Sequence, residues 1–246
     1  MPSHRFRALL AKELRQIRRS RGALLSATLL PFFLMVITPI GQYLSLQNAP
    51  TRELPPGFAP PGLMDMERPE EMLTLLLLPL LVVLAGLIVP TTAAAYTIVA
   101  ERDRRSLELL VALPVGVRDI LLAKLAATVI LAAGVLLPLF AIDAVWLLSG
   151  GLASVGYVLL LLGLMLSGLI CSVALALLVT LLARDMRTAN QVSAALVGPV
   201  VLVLLAVLLA VPGEGRWAAA VTFLLFVAVV GLLAALHWLT YERYLA

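Results

Sequence analysis

The sequence predicts an all-α membrane protein. It should have six transmembrane helices, an N-terminal amphipathic helix at the membrane surface, and a short cytoplasmic helix between spans two and three. Three observations carry this. First, 62% of the 246 residues are hydrophobic and only 13% are charged, against roughly 45–50% and 25% in soluble domains; the mean hydropathy is +1.07. Second, the charge-free stretches are long enough to cross a bilayer. Third, the basic residues cluster on alternate connections. So few charges cannot cover a core of this size with polar surface, which excludes a soluble enzyme or a disordered chain. Cys171 is the single cysteine, so a disulfide framework is excluded too.

A spanning helix needs about 20 apolar residues. Charge-free stretches run over Gly22–Thr51, Met72–Ala100, Leu125–Ile142, Ala144–Ala183, Thr188–Gly213 and Trp217–Tyr241. The fourth would make a helix of about 60 Å, twice the hydrocarbon thickness. It must break, and Ser149-Gly150-Gly151 supplies the turn. The part before that turn joins the third stretch across Asp143. The expected spans are 22–46, 73–100, 125–148, 152–183, 191–211 and 218–240, in one domain covering 1–246.

Met1–Arg21, Glu101–Lys124, Arg184–Asn190 and Tyr241–Ala246 hold 7, 5, 2 and 1 Lys/Arg, 15 in all; the opposite connections hold 3. That asymmetry places both termini in the cytoplasm. Tyr43, Trp146, Tyr157 and Trp217 then fall near outer ends, and Tyr96, Trp238, Tyr241 and Tyr244 near inner ends, as interfacial aromatic belts do. The net charge of +4 is a topology signal and does not argue for a nucleic-acid partner.

Residues 1–21 form the expected amphipathic segment. Phe6, Leu9, Leu10, Leu14 and Ile17 recur at helical spacing among Arg5, Lys12, Arg15 and Arg19, a pattern suited to anionic membrane lipids. The basic region and the apolar run are both too long for a cleaved signal, and no A-x-A site follows, so a retained anchor is expected. The outer connection 47–72, with six prolines and five acidic residues, reads as a solvated connector or as a lid.

The second cytoplasmic connection is the most informative segment. Glu101-Arg102-Asp103-Arg104-Arg105 is charged throughout. A short helix is expected after it, with Leu107, Leu110 and Val111 on one face, ending near Leu113 because the residue before Pro114 is driven out of the α region. On the residues alone this is a solvated connection with an interfacial helix.

The run resembles the signature of ABC-2-type permease subunits, a Glu-Arg-Glu-x-Gly-Thr-Leu-Glu-x-Leu-Leu-x-Thr-Pro-Val pattern after the second span. It matches at Glu101, Arg102, Leu107, Glu108, Leu110, Pro114 and Val115. Asp103 stands for the second Glu and Ser106 for Thr, while Arg105 and Leu113 depart from the pattern. The resemblance implies the membrane-spanning half of an ATP-driven exporter in a bacterial cytoplasmic membrane. A second permease subunit, identical or different, would complete the pathway, with spans one, two and five in its wall. Cytoplasmic ATPase subunits would drive it, and the loop helix would be the coupling helix, with Glu101, Arg102, Leu107, Glu108, Leu110, Val111 and Pro114 facing the ATPase. The chain has no G-x-x-x-x-G-K-[ST] loop, and neither Lys12 nor Lys124 follows a glycine. ATP and Mg would therefore belong to the partner, and this chain would be non-catalytic. The mostly apolar spans suit a lipid-like, drug-like or otherwise amphipathic cargo. Two rival readings are an ion-coupled secondary transporter, which normally needs ionisable residues near the bilayer centre, and a non-transporting assembly factor.

Two ionisable residues fall inside spans. Asp143 lies about 7–8 Å from the outer end of its helix by rise, a depth that water reaches, so either a solvated or helix-pairing role or contact with cargo is expected. His237, near the inner end of span six, should snorkel to the interface. Two distant histidines and one cysteine form no metal-ligand set. Gly163, Ser167 and Cys171 recur once per turn and predict a close helix contact. Prolines 31, 39, 79, 90, 138 and 199 interrupt several spans, as ordinary spanning helices tolerate.

Overall fold

A computed structural model describes residues 7, 9–12, 14–15, 21–47, 73–103, 117–182 and 186–238. Among the described residues there are six long helices, each apolar enough to cross a membrane, and no strand. Helix α1 comprises Arg21–Phe32, a π-helical turn Phe33–Ile37 and Thr38–Gln47. Helix α2 opens as a π-helical turn, Leu73–Leu77, and continues over Leu78–Asp103. Then follow α3 (Val117–Ser149), α4 (Val155–Leu182), α5 (Met186–Ala210) and α6 (Gly215–Trp238).

The two helix-to-helix turns that the structure describes follow from local sequence. After Ser149, Gly151 takes a left-handed φ of 66°, which costs glycine nothing. The Leu152 N–H then donates to the Leu147 carbonyl at 3.0 Å, and Gly151 N–H to Leu148 at 3.2 Å. These two bonds satisfy the last carbonyls of α3 in a Schellman motif. Ser154 begins α4 as its N-cap, accepting the Tyr157 N–H on Oγ at 3.2 Å. Gly213, also at φ 66°, turns the chain between α5 and α6.

Helices α2 and α4 form the centre. In each, 61% of the apolar window is buried, against 17% for α5. One core joins them to α1 and α3 through Met35, Leu78, Val82, Ala132, Leu136, Leu161 and Met165. A second joins them to α5 and α6 through Leu87, Leu164, Leu204, Leu208, Ala220 and Leu224. The central contact is close because glycine meets backbone. A Cβ on Gly86 would lie 3.0 Å from the Met165 carbonyl oxygen, and one on Gly168 would lie 3.3 Å from that of Val83. Between membrane helices, where lipid is as apolar as leucine, such packing replaces the hydrophobic driving force. Gly231 brings α6 close to α4 at a side chain: a Cβ there would lie 3.3 Å from the Ala174 methyl carbon.

The expectation of a close contact along Gly163, Ser167 and Cys171 needs correction. Ser167 and Cys171 are buried, but Gly163 is exposed and a Cβ there would meet nothing within 4 Å. The face of α4 that meets α2 passes through Gly168, one position round from Ser167. Helix boundaries also shift: α3 begins at Val117 and takes in Arg118, Asp119 and Lys124, so the helix is longer than its charge-free stretch. Helix α2, expected in the pathway wall beside spans one and five, has no exposed side chain over 73–93, whereas α1 and α5 carry open faces.

Hydroxyls inside the bundle bond back to their own helices. Thr91 Oγ1 donates to Leu87 O at 2.9 Å and Thr92 Oγ1 to Ile88 O at 2.9 Å, just after Pro90, which has no N–H for its helix. Ser167 and Ser172 do the same to Leu164 and Leu169. The outward faces of α5 and α6 expose Leu202, Val203, Phe226, Val229 and Leu233, apolar side chains that suit lipid.

Candidate functional site

Two regions of the chain carry groups that a plain bundle does not need. The first is the α2–α3 connection. Glu101 and Arg102 sit in the last turn of α2, and α3 starts again at Val117. Leu107, Glu108, Leu110, Val111 and Pro114, expected as the coupling face, lie outside the described residues. At the N-terminus the described residues 9–12 and 14–15 are helical; Leu9, Leu10 and Leu14 are half-buried while Arg7, Lys12 and Arg15 are exposed, a two-sided segment.

The second region lies at the other end of the bundle, where the 150–154 turn and the start of α6 meet. Leu136, Leu139, Phe140, Asp143 and Leu147 form the buried stripe of α3, at steps of three and four residues. Asp143 therefore points inward with that stripe. It is 2% exposed, and its Oδ2 has no hydrogen-bond partner. The expectation that water reaches it is corrected here. Helical rise fixes how deep Asp143 lies, but its rotational phase puts it among core leucines and away from the surface.

Aromatic side chains tie the helix ends around it. Tyr43 of α1 meets Trp146 of α3 edge-on, with centroids 5.5 Å apart at 82°, and Tyr157 of α4 meets Trp217 of α6 at 5.9 Å and 75°. The Tyr157 hydroxyl donates to the carbonyl of Thr74, inside the π-helical turn that opens α2. One side chain thus links α4 to α2. Arg216, buried at the start of α6, turns its Nε to the Gly213 carbonyl at 2.8 Å.

The sequence placed these four aromatics at span ends without pairing them, because a belt residue and an interhelical pair have the same composition. His237 is exposed in the last turn of α6, as snorkelling requires. Cys171 is buried. Among the described residues no three His, Cys, Asp or Glu side chains come together in a way that would hold a metal.

A family model described as "ABC-2 family transporter protein" matches residues 7–243. No curated protein matches the chain, and no solved structure does.

Proposed function

Because the chain belongs to the ABC-2 transporter family, and is thus a multi-pass transporter permease subunit, we propose that it is the membrane half of an ATP-driven exporter. A match over 7–243, spanning all six helices and the charged α2–α3 connection, is the observation that carries the reading. The subunit pairs with a second permease subunit and with cytoplasmic ATPase subunits, which bind the ATP and Mg. The chain itself has no phosphate loop to cradle a nucleotide.

Coupling runs through 101–114. Helix α2 runs on through Glu101 and Arg102, past the charge-free stretch that ends at Ala100. The apolar face Leu107, Leu110 and Val111 docks in a groove of the ATPase, while Glu108 and the preceding charges set its orientation and Pro114 ends the helix. Both termini and this connection share the cytoplasmic side of a bacterial inner membrane, following the basic asymmetry. The open faces of α1 and α5 receive the second subunit and line the path for an amphipathic cargo. Here Gln191, Ala194 and Ala195 of α5 are exposed, and Gly198 has nothing within 4 Å of a Cβ.

The experiment is co-expression with the ATPase encoded beside it, followed by copurification and ATPase assays in lipid nanodiscs. A stable complex whose ATPase activity depends on this chain supports the proposal. An ATPase that neither copurifies nor responds overturns it.

A further inference from the structure

Arg216 takes no part in the exporter reading, yet its surroundings are unusual for a cation. It lies in the first turn of α6, whose apolar window opens at Gly215, so it stands where hydrocarbon gives way to headgroups. The side chain is only 4% exposed. A buried guanidinium needs acceptors for its five N–H groups, or an anion beside it. Among the described residues it has one hydrogen bond, from Nε to the Gly213 carbonyl at 2.8 Å, and that acceptor is neutral. The N-terminus of α6 is also the positive end of the helix dipole, and its first turn has no acidic residue. The helices packed on α6 are α4 and α5. Neither Val155–Leu182 nor Met186–Ala210 contains an Asp or a Glu; their one charge is Arg187, at the far end of α5. Asp143, the buried acid at the same end of the bundle, belongs to α3, which packs on α1, α2 and α4. Its Oδ2 is bonded to nothing, Arg216 included. Glu214, in the turn, is exposed while Arg216 is buried.

A buried cation at the positive end of a helix, with no acid on the helices around it, calls for an anion from outside the bundle. At this depth the membrane supplies one, the phosphodiester of a phospholipid. We propose that Arg216 is a phospholipid site, its guanidinium holding the phosphate through Nη1 and Nη2 while Nε stays on Gly213. The Nε bond fixes the plane of the guanidinium and turns it back toward the exposed 211–215 turn, on the headgroup side. A fork held in that way matches two phosphate oxygens at once. The first N–H groups of α6 lack partners in the helix and favour the same charge. Trp217 follows, edge-on to Tyr157 at 5.9 Å, an amphipathic ring of the kind that settles among headgroups. Further along the same helix, Leu225, Phe226, Val229 and Leu233 are exposed and offer acyl chains an apolar surface. The bound lipid neutralises Arg216 and secures the α5–α6 turn at its end of the bundle. This inference rests on α6 crossing the membrane and not on the exporter reading.

The test uses the full chain in detergent micelles, with native mass spectrometry to read the first lipid bound. It is titrated with dioleoyl phosphatidylglycerol and, in parallel, with dioleoylglycerol, which has the same chains and no phosphate. Wild type should bind the phospholipid about ten- to a hundredfold more tightly than the phosphate-free lipid, as hydrogen bonds to charged groups imply. Arg216→Gln should lose that margin and bind the two lipids alike. Arg216→Lys, which keeps the charge without the fork, should fall between the two. Inorganic phosphate at millimolar concentration should leave the phospholipid in place, because the acyl chains supply part of the binding. The comparison of the two lipids on wild type stands alone should the Gln variant fail to fold. Equal binding of the two lipids by wild type would overturn the proposal. Displacement by inorganic phosphate would overturn it too, since the site would then be one for the free ion. So would an Arg216→Gln chain that binds phosphatidylglycerol like wild type, the result expected if carboxylates of the 47–72 connection neutralise Arg216. None of these outcomes bears on ATPase coupling.

Discussion

Gly86 of α2 and Gly168 of α4 face each other at a contact where each helix presents backbone to the other: a Cβ on the first would come within 3.0 Å of the Met165 carbonyl oxygen, and one on the second within 3.3 Å of the Val83 carbonyl oxygen. Neither obstacle is a flexible side-chain tip that can swing away. The two helices must separate to admit a methyl group, and α1, α3, α5 and α6 are all packed on that pair.

Gly86→Ala should therefore destabilise the bundle by about 1–3 kcal/mol, the usual range for overpacking, and Gly86→Val by more. Gly163→Ala, on the same α4 but facing open space, should cost nothing measurable. Reversible unfolding in mixed detergent micelles reads both. Equal loss in the two variants would refute the contact.

Reporter fusions check the orientation. With 15 basic residues on one set of connections and 3 on the other, a fusion after Ala246 should report cytoplasm and one within Pro55–Pro61 the exterior. The reverse pattern at either site would overturn the topology.

The purified chain, free of any ATPase subunit, should show no saturable nucleotide binding. The absent phosphate loop is the ground. Binding of a labelled ATP analogue that unlabelled ATP displaces would contradict the division of labour between this subunit and its partner.

Coupling has a sharper test. Under the proposed coupling, Leu110→Asp puts a charge on the face that docks in the ATPase, a penalty of several kcal/mol by desolvation, and should abolish the stimulated ATPase activity at normal membrane levels. Arg104→Ala, at the rim, should reduce it less than about threefold. If Leu110→Asp couples like wild type, the 101–114 connection is only a solvated link.

The spans and their breaks were legible because lipid imposes them: twenty apolar residues and a Gly-Gly turn are one-dimensional signals. The turn at Gly150-Gly151 lies where the sequence requires it. Packing is different. Ser167 and Gly168 are neighbours in sequence but lie about 100° apart around the helix; only the neighbouring helices decide which of them meets a partner. The same ambiguity misled the expectation for Asp143, whose depth follows from counting residues while its burial depends on rotation about α3. The π-helical turns at 33–37 and 73–77 left no compositional trace, since Phe-Leu-Met-Val-Ile and Leu-Thr-Leu-Leu-Leu suit an α-helix equally well. The apolar face expected to couple, Leu107, Leu110 and Val111, lies outside the described residues, so its reading rests on sequence.

The central pair also imposes an order on the making of the protein. Gly86 and its counterpart Gly168 are separated by about 80 residues of chain, and at ~5–20 residues per second a ribosome needs roughly 4–16 s to deliver the second after the first. Throughout that interval α2 is in the membrane without its principal partner, its small-residue face against lipid. Helix α3 arrives first and can cover only the side shared with α1. Insertion therefore runs well ahead of assembly, and the bundle closes only when α4 has been delivered and can displace lipid from the Gly86 face. A nascent chain arrested between the 150–154 turn and Gly168 should carry every helix up to α3 and still be open to protease, with its core unformed.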